Sequence, residues 1–156
     1  MHIRLIAVGD RQPSWVDEAF QAYAARLPRE WKFRLDAVAT VRRPKNGDAS
    51  AAIEAEGQKV MGLVKDGEQL VVLDERGSGM TSVALSEKLA GWQSVGRDLS
   101  FVIGGPDGVS DTLTARADFR WSISKLTLPH GLARVLLAEQ LYRAWTIGTA
   151  HPYHRS

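Results

Sequence analysis

The final six residues, HPYHRS, place His151, Tyr153, His154 and Arg155 around Pro152. Chain ends are ordinarily poorly ordered and chemically plain, whereas this one concentrates groups that move protons near neutral pH or hold rings and anions. It has the composition of part of a site. Covalent catalysis finds little support elsewhere, because the chain has no cysteine, no G-x-S-x-G elbow and no acid, base and nucleophile set picked out by spacing. The four histidines, His2, His130, His151 and His154, form no H-E-x-x-H pair, and His151 with His154 would need a further ligand. No metal site is expected.

Two other stretches could bind a ligand. In LSFVIGGPDGVS, Gly104 and Gly105 follow an apolar run, and Pro106, Asp107 and Gly108 lead to Ser110, a helix-capping residue. Glycines at the carboxyl end of a parallel strand let a ligand approach the backbone; an ordinary strand-to-helix turn would have the same residues. The stretch is neither a P-loop nor a G-x-G-x-x-G fingerprint. In RWSISKLTLPHG, Ile123 and Leu126 alternate with Ser122, Ser124 and Thr127 before Pro129, a lining suited to a flat neutral ring such as adenine. His130 follows; most lone histidines are structural. The densest basic cluster is Arg42, Arg43 and Lys45 around Pro44, by itself more often a solvated loop than a phosphate contact.

Positioning these residues requires an alternation of short β-rich runs and helical stretches, the pattern of an α/β protein with a largely parallel sheet and helices on both faces. Strands are expected in HIRLIAVG, KFRLDAVAT, QLVVLD, LSFVIGG and RWSISKLTL, the third and fourth being apolar enough to be central. Helices are expected from Ser14, with Asp17 completing a variant capping box and Val16, Phe20, Tyr23 and Leu27 on one face; from Asp48 as N-cap; and through TSVALSEKLAGWQ, with Leu85, Leu89 and Trp92 inward. Ser110 caps a short helix. The last helix, HGLARVLLAEQLYRAWTIG, carries Leu132, Val135, Leu136, Leu137, Leu141 and Trp145 around too much of its circumference for one core-facing stripe. A second burial surface implies a homodimer, unless the helix is simply sunk in its own domain.

The 156 residues fit one domain, 1–156, with a core that needs no disulfide or metal. A hydrophobic share of 44% and a charged share of 24% are those of an ordinary globular protein, and no apolar run approaches the roughly 20 residues of a membrane span. The opening residues have no leader pattern, so a cytoplasmic location is expected. With 20 Lys and Arg against 18 Asp and Glu, charge alone does not force a nucleic-acid partner.

Taken together, FVIGGPDGVS, SISKLTLPHGLARVLLAEQLYRAW and HPYHRS resemble the signature regions of the RlmH family of SPOUT-class RNA methyltransferases, with QLVVLDERG agreeing in place and order and IAVG and RPKN collinear before it. The resemblance implies an α/β fold with a C-terminal trefoil knot, an obligate homodimer and an S-adenosylmethionine site. Carried across by residue, that site comprises Leu73, Gly104, Ile123, Ser124, Lys125, Leu126, Thr127 and Leu128, with Gly105 sharing the close backbone approach of Gly104. The implied reaction is methylation at N3 of a pseudouridine in 23S ribosomal RNA, on the assembled ribosome. In that setting His154 is the expected base, Tyr153 stacks on or hydrogen-bonds the target ring, and Arg155 holds phosphate or developing negative charge. Arg42, Arg43 and Lys45 would meet the RNA backbone. A non-catalytic ribosome-assembly factor that keeps the fold is the competing expectation; a small hydrolase using His154 lacks a nucleophile.

Overall fold

The computed structural model describes residues 1–155. Five strands form one sheet, β1 Ile3–Val8, β2 Arg34–Val38, β3 Gln69–Ser78, β4 Leu99–Ile103 and β5 Phe119–Trp121, in the order β2-β1-β4-β3-β5 with every pairing parallel. Period-two alternation splits the core between two faces. Ile3, Leu5, Ala7, Phe101 and Val71 pack with Phe20 of α1 (Ser14–Ala24), Leu85, Leu89 and Trp92 of α3 (Ser82–Val95) and Leu137 and Leu141 of α5 (His130–Gly148). Ile6, Val8, Val72 and Val102 face the other way, toward Val60 of α2 (Ser50–Leu63) and Leu113 of α4 (Asp111–Arg116). All residues of β1 and β4 are buried, as expected for strands covered on both sides.

The expected α/β architecture is present, and several boundaries differ for local reasons. The run expected to extend as strand to Leu128 leaves the sheet after Trp121. The Ser122 hydroxyl donates to the Ser124 carbonyl and the Ser124 hydroxyl accepts from the Leu126 N–H, so short polar side chains satisfy the backbone locally and turn it. In contrast, β3 runs past Asp74 to Ser78: Leu73 and Ser78 both align with Trp121, so residues 74–77 make an excursion from the ladder. The chain returns against β5 at Gly77, where a Cβ would stand 2.6 Å from the Arg120 carbonyl oxygen. Only glycine permits that approach.

At the helix starts, α1 begins at Ser14 behind Pro13, whose carbonyl accepts from the Val16 N–H, and no side chain caps it; the expected Ser14–Asp17 box does not form. Asp48 lies one residue before the α2 cap, Ala49, and accepts from the Ser50 N–H at 2.8 Å. Ser110 caps α4 through the Leu113 N–H as expected. Helix α5 buries Leu137 and Leu141, and Trp145 packs half-buried against the same core beside Tyr142, whereas Leu132, Val135 and Leu136 are half-buried along its other side. No described helix is long and apolar enough to cross a membrane.

Candidate active site

An open cleft of about 700 Å³ lies at the carboxyl ends of β3 and β4 and beside the turn after β5. It gathers Leu73, Gly104, Gly105, Ile123, Ser124, Leu126, Thr127 and Leu128, eight of the nine residues expected to hold a cofactor; Lys125 is exposed and is not part of the lining. Such a position, outside the carboxyl ends of parallel strands, is where open α/β sheets bind ligands. Apolar walls come from Leu73, Ile103, Trp121 and Ile123, while Gly104 to Gly108 expose backbone. That turn is tight: Gly108 donates to the Gly105 carbonyl at 3.1 Å and has φ +95°, and a Cβ on Gly104 would lie 2.6 Å from the Gly108 carbonyl oxygen. Gly104→Ala is therefore expected to open the turn and weaken S-adenosylhomocysteine binding at least about ten-fold while leaving the fold intact, the equivalent of about 1.4 kcal/mol. Calorimetry on the folded variant checks it; unchanged affinity would remove the turn from the site.

The excursion 74–77 forms one rim. Burial opposes ionisation of Asp74, but Arg120 at 2.8 Å and Arg76 outweigh it and hold the carboxyl at about 2. Because its folded value lies below the unfolded one, the stabilisation is fully present above about pH 4 and is lost as pH falls through about 2. Thermal unfolding of Asp74→Asn should thus lag wild type at pH 7, with a gap that narrows below about pH 4 and closes only below about pH 2; a gap that stays constant with pH would contradict this origin. Thr127 donates to Glu75 at 3.0 Å, joining this rim to the turn after β5.

Behind the cleft, His130 opens α5. Burial and the adjacent Arg134 push its pKa down, against a hydrogen bond to the Gly104 backbone. Its Nε2 is 3.4 Å from Arg134 Nη2; since a guanidinium only donates, Nε2 must be the bare nitrogen and the ring proton sits on Nδ1. Arg134 is 2% exposed and donates to the Gly9 carbonyl. The pair braces the Gly104 turn against the end of β1. His130 is thus structural in its contacts, yet also lines the cleft.

Of the basic loop, Arg42 and Lys45 are exposed, and Arg43 is not free in the same way. Its guanidinium grips Glu56 at 2.5 and 3.0 Å and Asp107 at 2.9 Å, and the Glu56 contact leads in pushing its pKa up.

The tail forms a 3₁₀ turn, Pro152–Arg155, folded back on α5. Tyr153 packs on Tyr142 at 4.6 Å between ring centres, lies under Arg143 and donates to Glu139 at 3.1 Å. Burial, then Glu139, raises its phenol to about 12, so it stays protonated and cannot serve as a base. His154 is half-buried, with Nδ1 enclosed and without a hydrogen-bond partner among the described residues; Arg155 is exposed. His151 accepts from the Tyr153 N–H and packs beside Trp145, a structural role. None of these side chains lines the cleft of its own chain. Tyr153 reaches back only to Glu139, nine residues and roughly 13 Å of helix rise from His130. Sequence reasoning missed Glu139, although Glu139 and Arg143 stand at i, i+4 on α5 and are linked at 2.6 Å. It also missed Glu56, Asp107 and Arg134, whose partners come from distant segments and leave no local signal. No cluster of three metal-ligating side chains occurs among the described residues.

A parallel α/β sheet whose glycine turn and after-strand loop enclose a cleft defines a ligand-binding enzyme scaffold of the doubly covered kind. The chain belongs to the SPOUT methyltransferase family: the family model described as "Predicted SPOUT methyltransferase" matches residues 1–154. Relatives called "Ribosomal RNA large subunit methyltransferase H" include one from Thioalkalivibrio sulfidiphilus, 46% identical over 155 residues with 99% of both chains covered, and one from Burkholderia multivorans, 46% identical over 156 residues with both covered fully. A solved structure described as a probable methylase family protein from Haemophilus influenzae superposes with TM-score 0.60 at 12% identity, over 97% of this chain and 69% of that one, and supports the fold alone.

Proposed function

We propose that this protein transfers a methyl group from S-adenosylmethionine to N3 of a pseudouridine in 23S ribosomal RNA, in the cytoplasm, as a homodimer acting on the assembled ribosome. The observation that carries this is the cleft itself: eight residues assigned to the cofactor from three separated segments line one cavity, in a chain related over its whole length to ribosomal RNA large subunit methyltransferases. Its size and mixed lining suit a ligand with one flat ring and a polar arm. Leu73, Ile123 and Leu128 would flank the ring, and Gly104 and Gly105 would admit the arm against backbone. The C-terminal trefoil knot belongs to the same reading.

S-adenosylmethionine supplies a methyl already activated by its sulfonium. The remaining barrier lies on the acceptor, because N3 carries a proton between two carbonyls and is a poor nucleophile until that proton leaves. His154 would take the N3 proton as the methyl carbon exchanges its bond to sulfur for one to nitrogen, leaving a neutral thioether; with Nδ1 enclosed, Nε2 is the accepting nitrogen. Tyr153, held neutral, orients the ring, and Arg155 faces phosphate or the charge developing on the ring oxygens. Because the tail falls short of its own cleft, each site is completed by the tail of the other copy, and the half-buried Leu132, Val135 and Leu136 of α5 offer an apolar face for that association. Arg42 and Lys45, with Arg43 behind them, meet the RNA backbone.

Transfer of labelled methyl to 70S ribosomes and to naked rRNA, followed by mass mapping of the modified nucleotide, tests the reading. Transfer to a pseudouridine of the ribosome alone is expected. Equal transfer to naked fragments would remove the assembled-ribosome requirement; ribosome association with neither cofactor binding nor transfer would favour a non-catalytic assembly factor.

A further inference from the structure

Arg43 was grouped with Arg42 and Lys45 by sequence, yet its surroundings are different in kind. Nε donates to Asp107 at 2.9 Å, Nη1 to both the Val41 carbonyl at 2.7 Å and Glu56 at 2.5 Å, and Nη2 to Glu56 at 3.0 Å. Four of the five guanidinium N–H groups are thus spent inside the protein. Glu56 is almost wholly buried, also accepts from the Val41 N–H at 2.9 Å, and sits 3.1 Å from where a Gly105 Cβ would be. Asp107 lines the cleft and Arg43 does not. One side chain therefore ties the start of the basic loop, the underside of the glycine turn and the rim of the cleft into a single unit. A phosphate reader needs open donors; this arginine has become a clamp.

We propose that Arg43 is a positioning residue that couples the cleft to the basic loop: by bridging Glu56 and Asp107 it holds the 105–108 turn in its binding geometry, so that cofactor binding also rigidifies the loop presenting Arg42 and Lys45. The coupling half rests on the cofactor reading of the cleft. Linkage makes it reciprocal, so RNA that engages the loop strengthens cofactor binding by the same factor. A lysine could not replace the clamp, because an ammonium is a point charge without the planar fork that reaches two carboxylates and a carbonyl at once. The arrangement explains why a basic loop should be pinned by an acid from a cofactor turn rather than left mobile.

The test uses the full-length protein and four variants, Arg43→Gln, Arg43→Lys, Asp107→Asn and the double Arg43→Gln/Asp107→Asn. Asp107 is half-exposed at the surface, so its amide variant disturbs the fold least. Without any ligand, hydrogen exchange at the Val41 and Gly108 amides should speed up in every variant; unchanged exchange overturns the clamp. In calorimetry with S-adenosylhomocysteine, each single variant is expected to bind about three- to ten-fold more weakly than wild type, with the double no weaker than the worse single, as for two members of one unit. Exchange of the 41–47 amides should slow on adding S-adenosylhomocysteine to wild type and not to Asp107→Asn. Wild-type affinity in Arg43→Lys, or additive losses in the double, overturns the proposal. If wild type itself fails to bind S-adenosylhomocysteine, the cofactor reading and with it the coupling are overturned, a result distinct from a wild type that binds and an Arg43→Gln that binds equally well.

Discussion

His154→Ala is expected to lower the rate of methyl transfer to ribosomes by about 10²- to 10⁴-fold while S-adenosylhomocysteine binding stays within about two-fold of wild type, the range for loss of a general base that does not touch the cofactor. The separation follows from geometry: the tail lies along α5 and contributes nothing to the cleft of its own chain. A single-turnover assay with saturating cofactor isolates the chemical step, and its pH profile should lose the limb belonging to the base. Tyr153 cannot stand in, because burial and Glu139 keep its phenol protonated up to about 12. The same variant tests the shared site. At a cofactor concentration that loads the wild-type cleft but not the Gly104→Ala one, a heterodimer of His154→Ala with Gly104→Ala keeps one intact cleft and one intact tail on opposite chains, so about half of wild-type activity should return where either homodimer is nearly inactive. A heterodimer as inactive as its parents would mean that each chain completes its own site.

Such a site could be read from sequence only in pieces, and the pieces that were legible share a cause. Gly104, Gly105 and the 123–128 segment are contiguous runs whose glycines, hydroxyls and terminating Pro129 mark turns locally, while their joint assignment to a cofactor comes from the family resemblance. The apolar runs of β3 and β4 likewise announce strands covered on both faces, whereas the burial of every residue of β1 was not foreseen. Where a boundary was displaced, a local competition decided it: Ser122 and Ser124 turned the chain that alternation would have kept extended, and Pro13 took the capping place expected of Ser14. Arg43 was illegible for the opposite reason. Its partners lie 13 and 64 residues away, and no spacing rule distinguishes a clamping arginine from a solvated one. The tail was recognisable by composition but not by position, since only the three-dimensional course of α5 reveals that it falls short of its own cleft.

The same blindness covers the feature whose loss should cost most in stability, at the far end of the sheet. Arg4 on β1 is buried between strands, where its guanidinium meets both oxygens of Glu68 at 2.9 and 3.1 Å, Asp36 at 3.3 Å and the Ser100 hydroxyl, and also donates to the Leu63 carbonyl. Glu68 Oε2 in turn accepts from the Lys65 N–H and the Ser100 hydroxyl, while Oε1 is held by Arg4. Period-two alternation places Arg4 only on the face opposite Ile3 and Leu5 and says nothing of its partners. Glu68→Ala would strand that cation in the interior, a change that costs about 3–5 kcal/mol when a buried pair loses one partner. For a domain of this size each kcal/mol moves the melting temperature by about 2–4 °C, so a fall of roughly 6–20 °C is expected. Asp36, at 30% exposure, offsets part of it and places the outcome toward the lower end. Arg34→Ala, which removes the exposed partner of the same Asp36, should shift melting by no more than about 2 °C, because pairs open to water contribute little. Scanning calorimetry of the two variants distinguishes burial from mere pairing: equal shifts would mean that the Arg4 cation finds water or Asp36 well enough to need no second acid. Below its melting temperature Glu68→Ala should still bind S-adenosylhomocysteine as wild type does, since Glu68 lies before β3 and the cleft begins at Leu73, where that strand ends its regular pairing.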